Sequence, residues 1–111
     1  MRKALIVLAA VPVAGILAIP ALAATTTVRI GDDYFVKKGA APKVTVKKGT
    51  TVKWLWKGKS PHNVTVTKGP TKFSSKTITK GSFSKRVTKP GTYAVVCTLH
   101  LPKMKMTLAV K

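Results

Sequence analysis

Apolar and polar residues alternate with a period of two along much of the chain. Val44-Thr-Val46, Val52-Lys-Trp54-Leu-Trp56, Val64-Thr-Val66 and Met106-Thr-Leu108-Ala-Val110 follow this pattern, and helical spacing is nowhere sustained. Successive side chains of a strand point to opposite faces, so the alternation predicts half-buried strands. Turn signals fall between them at Lys48-Gly49, Lys57-Gly58, Lys68-Gly69-Pro70, Lys80-Gly81 and Lys89-Pro90-Gly91. About seven or eight strands at such intervals imply an all-β fold, an antiparallel Greek-key β-sandwich.

The beginning of the chain has a different pattern. Met1-Arg2-Lys3 is basic, Ala4 to Ile19 is almost uninterruptedly apolar, and Pro20-Ala21-Leu22-Ala23 supplies the small residues a signal peptidase reads. The expectation is a signal peptide over residues 1–23, cleaved after Ala23, and one domain over residues 24–111. The alternative is an uncleaved anchor, since about 17 apolar residues approach the lower limit of a membrane span. Cleavage would leave a soluble protein, periplasmic or extracellular.

Charge narrows the choice of partners. The 111 residues hold 21 Lys plus Arg against 2 Asp plus Glu. Residues 24–111 retain 19 basic and 2 acidic side chains, a net charge of +17. Many of these lysines alternate with apolar residues, as on the wet face of a sheet. Such a charge keeps monomers apart and attracts acidic proteins, anionic membrane or cell-wall polymer in a salt-dependent way. Nucleic acid is disfavoured as a partner, because no run of stacking aromatics accompanies the lysines. The only acids beyond residue 23, Asp32 and Asp33, are far in sequence from either His, and no Ser-His-Asp or Glu pair suggests acid–base catalysis.

The single cysteine cannot form an internal disulfide, so it is an unpaired thiol, an intermolecular bridge or a metal ligand. Cys97-Thr-Leu-His100-Leu-Pro-Lys-Met104 groups a thiol, an imidazole and a thioether, and the only other histidine lies in Pro61-His62-Asn63. Taken singly, each has a plainer reading: Cys97 as a small buried hydrophobe, the histidines as hydrogen-bonded residues, Met104 as the first inward side chain of a row with Met106, Leu108 and Val110. Together they suit copper. Two imidazoles and a thiolate with a weaker axial thioether hold both Cu(I) and Cu(II), because soft sulfur favours the reduced ion and nitrogen accepts either. Tyr93, Val95 and Cys97 share a strand face, and Pro102 enforces a loop that can return His100 and Met104 to the same point. Trp54 and Trp56 read as core packing.

Val44-Thr-Val-Lys-Lys-Gly49-Thr-Thr-Val-Lys-Trp54, Ser60-Pro-His62-Asn63-Val, Lys89-Pro-Gly91-Thr-Tyr93 and Cys97-Thr-Leu-His100 resemble a small cupredoxin of the plastocyanin, amicyanin and pseudoazurin type. The likeness runs from Val28 to Val110. It implies one type 1 copper ion with His62, Cys97 and His100 as equatorial ligands and Met104 as the axial one. It also implies that Asn63 steadies the ligand loop, its backbone N–H approaching the Cys97 sulfur. Three residues separate His100 from Met104, where those relatives have two or four, so a three-coordinate ion or an axial carbonyl or water remains the alternative.

The resemblance implies a non-enzymatic electron carrier, with the edge of His100 as the exit and Leu99, Leu101 and Pro102 as a contact patch. Lys59, Lys103 and Lys105 would surround that patch with positive charge and favour an acidic redox partner. A multicopper oxidase or nitrite reductase would need further histidines, and both are already used. The competing functions are copper storage or delivery, and polyanion binding by a basic sandwich whose metal site is empty.

Overall fold

The structure is a computed structural model that describes residues 24–111. The expected signal peptide and its cleavage point lie outside the described residues, apart from Ala24 on the far side of the cut. In chain order the strands are β1 (Thr25–Gly31), β2 (Tyr34–Phe35), β3 (Lys43–Val46), β4 (Thr50–Trp56), β5 (Thr65–Lys68), β6 (Gly81–Val87), β7 (Gly91–Val96) and β8 (Lys105–Val110), with a short 3-10 turn at Thr98–His100. No helix among the described residues is long and apolar enough to cross a membrane.

The eight strands form two four-stranded sheets, ordered β2-β1-β4-β6 and β3-β8-β7-β5. The chain changes sheet repeatedly, which is how a sandwich makes its cross-connections. Most neighbours are antiparallel, as expected, but each sheet also carries a parallel pair, β1 with β4 and β3 with β8. These pairs arise because the chain leaves one sheet for the other between the two members, so that they need not be joined by a hairpin.

Alternation in sequence becomes alternation in burial. In β4, Thr50, Val52, Trp54 and Trp56 are buried while Thr51, Lys53 and Leu55 are only partly so. Val52, Trp54 and Trp56 meet Tyr93 and Val95 of β7 and Met106, Leu108 and Val110 of β8 in one hydrophobic cluster. Met106, like the two tryptophans, is core. Trp54 lies against Phe73 and Phe83 at ring-centroid distances of 6.0 and 5.8 Å. Val64-Thr-Val66 forms a strand displaced by one residue: β5 starts at Thr65, which pairs with Val96 of β7, while Ser75 N donates to Val64 O at 2.8 Å and Val64 N to Ser75 Oγ at 2.9 Å.

At the start of β7 the Tyr93 hydroxyl donates to Lys89 O at 2.7 Å, fastening the strand to the preceding turn. Tyr93→Phe keeps the ring and loses this bond. The expected cost is about 1 kcal/mol, read as a lower urea midpoint with an unchanged m-value in the metal-free protein.

Candidate metal centre

Each of the four proposed ligand residues is placed by backbone that the sheets hold. His62 lies between β4 and β5, where it exchanges backbone hydrogen bonds with Ile78, His62 N to Ile78 O at 3.0 Å and Ile78 N to His62 O at 3.1 Å. The Trp56 indole also donates to His62 O at 3.3 Å. Cys97 follows directly on β7. From there the chain closes on itself: His100 N donates to Cys97 O at 3.2 Å, Met104 N to His100 O at 3.1 Å, and Cys97 N to Met104 O at 3.1 Å. The three-residue spacing therefore leaves the Met104 backbone bonded directly to Cys97, and the Met104 side chain is fully buried.

His62, Cys97 and His100 converge, with one donor atom of each lying within 4.8 Å of the others. His62 Nδ1 is 4.0 Å from Cys97 Sγ, and the two imidazole centroids are 4.9 Å apart. First-row ions such as zinc take nitrogen at about 2.0 Å and sulfur at about 2.3 Å, which in a trigonal arrangement puts N and S about 3.7 Å apart. The spacing and the soft S, N, N donor set thus fit a single thiophilic ion. His62 and Cys97 have no solvent exposure, and the His100 side chain is 28% exposed.

Asn63 joins the two ligand-bearing segments. Its backbone N approaches Cys97 Sγ at 3.5 Å, as the resemblance implied. Its side chain donates to Thr98 Oγ1 at 2.9 Å and Thr77 Oγ1 at 3.2 Å, and accepts from Thr65 Oγ1 at 2.8 Å and Thr98 N at 3.2 Å. Buried amide groups satisfied this fully hold a loop in one arrangement.

Two residues that sequence distance placed remote from the site are folded onto it. Asp32 and Asp33 occupy the turn between β1 and β2. Asp32 Oδ1 lies 3.5 Å from His62 Nε2, and Asp33 Oδ1 lies 3.3 Å from His100 Nε2. Pro61 O is 3.4 Å from that same His100 nitrogen. Asp32 Oδ1 also accepts from Ser60 N at 2.9 Å and Lys59 N at 2.8 Å. The Ser60 N–H foremost, then that of Lys59, holds the Asp32 carboxyl below its usual range, outweighing partial desolvation.

Gly58 makes room for this contact. A Cβ there would overlap the Asp32 carboxylate and stand 2.8 Å from the Asp32 backbone nitrogen. Gly58→Ala is expected to lower stability by about 1–3 kcal/mol, the usual cost of overpacking, measured by denaturant unfolding of the metal-free protein.

Around the exposed edge of His100 the surface is apolar and mixed in charge. Leu99 and Leu101 are 51% and 56% exposed. Asp33, Leu101, Pro102 and Lys103 line one shallow concavity with His100, and Lys105 lines the next with Pro102 and Lys103. Lys59 is exposed, its backbone held by Asp32. The line Cys97, His62, Asp32 has the composition of a nucleophile, base and orienting acid. Cys97 and His62 themselves have no solvent exposure, unlike an accessible nucleophile and its base.

The sequence pattern of a family described as copper binding proteins, plastocyanin/azurin family, matches residues 25–111. Plastocyanin of Prochlorothrix hollandica is 33% identical over 91 residues, covering 75% of this chain and 70% of that protein. A reduced amicyanin variant superposes with a TM-score of 0.66 at 28% identity, covering 83% of this chain and 89% of that one. A copper-containing nitrite reductase from Thermus scotoductus shares the fold, with a TM-score of 0.64 at 24% identity over 78% of this chain and 22% of that one.

Proposed function

Because the chain belongs to the plastocyanin/azurin family of copper-binding proteins, we propose that it carries single electrons between partner proteins through one type 1 copper ion held by His62, Cys97, His100 and Met104. The observation that carries this reading is the meeting of two imidazoles and a thiol from separate segments at a point closed to solvent on all but the His100 side. Copper bound there supplies a one-electron couple, Cu(I) and Cu(II), with no bond made or broken in a substrate.

The chain's own residues do the rest. Both sheets and the bonded loop from Cys97 to Met104 hold the donors in one geometry, which limits rearrangement when the charge of the site changes. Burial of Cys97 keeps water and oxidants from the sulfur. The partly exposed His100 ring is the shortest route out, and the exposed Leu99 and Leu101 offer an apolar surface for contact. We read the protein as a carrier and not an enzyme, since Cys97 and His62 have no solvent exposure.

Addition of Cu(II) to the purified protein tests the assignment. An intense visible thiolate-to-copper band with narrow EPR hyperfine splitting is expected, and a colourless product under oxidising conditions would sink the reading. Reversible reduction without loss of metal separates a carrier from a storage or delivery protein. Met104→Leu preserves bulk but deletes the thioether. The blue band should persist while the reduction potential rises, because the site loses a donor and the lower-coordinate Cu(I) state is favoured, a change that voltammetry reads.

The reading extends to export and partners. Residues 1–23 act as a cleaved signal peptide, and the domain of residues 24–111 works as a monomer in the periplasm or outside the cell. Its positive charge selects acidic redox proteins, so electron-transfer rates should fall as salt rises. Rates independent of ionic strength would remove charge steering and leave the copper assignment standing.

A further inference from the structure

Only two carboxylate side chains exist in this chain, and the fold delivers both to the outer edges of the two clustered imidazoles. Asp33 in that turn has φ 72, a left-handed conformation that Asp and Asn adopt more readily than most other side chains. Gly58 leaves the space in which the Asp32 carboxylate sits, and the N–H groups of Lys59 and Ser60 orient that carboxylate. Facing it, His62 Nε2 is completely buried and has no hydrogen-bond partner among the described residues. A buried ring nitrogen left without an acceptor is costly, so an anionic oxygen 3.5 Å away is its natural counterpart.

We propose that Asp32 and Asp33 are a pair of positioning carboxylates for the metal centre: Asp32 for His62 and Asp33 for His100, each keeping the ring proton on Nε2 so that the opposite nitrogen is free to bind copper, and together favouring the oxidised ion. Carboxylates behind ligating histidines fix ring orientation and raise ligand basicity in this way. Two negative charges also offset, close to the ion, the excess of lysine over the rest of the surface, and the more positive Cu(II) gains more from them than Cu(I). The inference rests on the copper reading above and deepens it.

Asp32→Asn and Asp33→Asn are the informative variants. Each keeps a carbonyl oxygen, so the N–H groups of Lys59 and Ser60 retain an acceptor, and Asn tolerates the left-handed conformation at residue 33. In the copper-loaded protein each variant should have a raised reduction potential. For Asp32→Asn, which faces the buried ring, the expected change is about tenfold in the ratio of Cu(II) to Cu(I) affinity, or about 59 mV for one electron. The rise should be smaller for the more exposed Asp33 and should persist at about 1 M salt, where the Debye length is about 3 Å. Long-range proton–nitrogen NMR of the metal-free wild-type protein should find both rings protonated on Nε2.

Potentials unchanged in both variants, with normal blue colour, would overturn this inference and leave the copper site intact. Protonation of both metal-free rings on Nδ1 would overturn it as well. Nε2 protonation in a protein that never develops the blue band would support the role of the carboxylates in placing the proton while the copper reading itself failed.

Discussion

Cys97→Ser abolishes the intense visible band of the copper-loaded protein. The hydroxyl oxygen is harder than thiolate and does not ionise readily near neutral pH, so the covalent sulfur contribution disappears and the Cu(I) state loses its strongest donor. The expected result is a copper adduct with only weak visible absorption, a widened EPR hyperfine splitting and poor retention of the reduced ion. The fold should survive, because serine is close to cysteine in size. If the protein is instead a polyanion binder with an empty site, its retention on a polyanionic resin is the same for wild type and variant and no colour is seen in either.

The largest effect on stability is expected at Trp54, a side chain with no solvent exposure at the centre of β4. Trp54→Ala leaves a void between β4 and the rings of Phe73 and Phe83, and should cost about 3–5 kcal/mol. For a domain of this size that is a large part of the whole, equivalent to about 4–8 °C in Tm for each kcal/mol. Trp54→Phe should cost markedly less. It keeps an aromatic contact and also removes the buried indole N–H, which has no hydrogen-bond partner among the described residues. Calorimetry of the metal-free proteins distinguishes the two variants. Equal losses would mean that the indole nitrogen is satisfied in solution.

Legibility varied along the chain with the strength of the local signal. β4 and β8 were plain because each buries one full face, which imposes the period of two. β6 was not. Its residues Gly81-Ser-Phe-Ser-Lys-Arg-Val form an edge strand in which only Val87 is fully buried, so its pairing with β4 supplies what the apolar pattern lacks. β1 opens on Thr25-Thr-Thr, and its parallel alignment with β4 is a property of the partner, not of those threonines. The cluster of His62, Cys97 and His100 was legible because two of its members lie three positions apart and the chain has no other cysteine or histidine to consider.

What the amino-acid order determined by itself was therefore the chemistry available: a sandwich-forming alternation, one thiol, two imidazoles, a nearby thioether and a surface dominated by lysine. The tertiary structure alone decided how those groups meet. It brought His62 to Cys97 across 35 positions and set the turn at Asp32 and Asp33 against both imidazoles. Periodicity and short motifs record interactions between neighbours along the chain, whereas the approach of a hairpin turn to a distant loop depends on strand register and sheet order, which emerge only when the two layers pack.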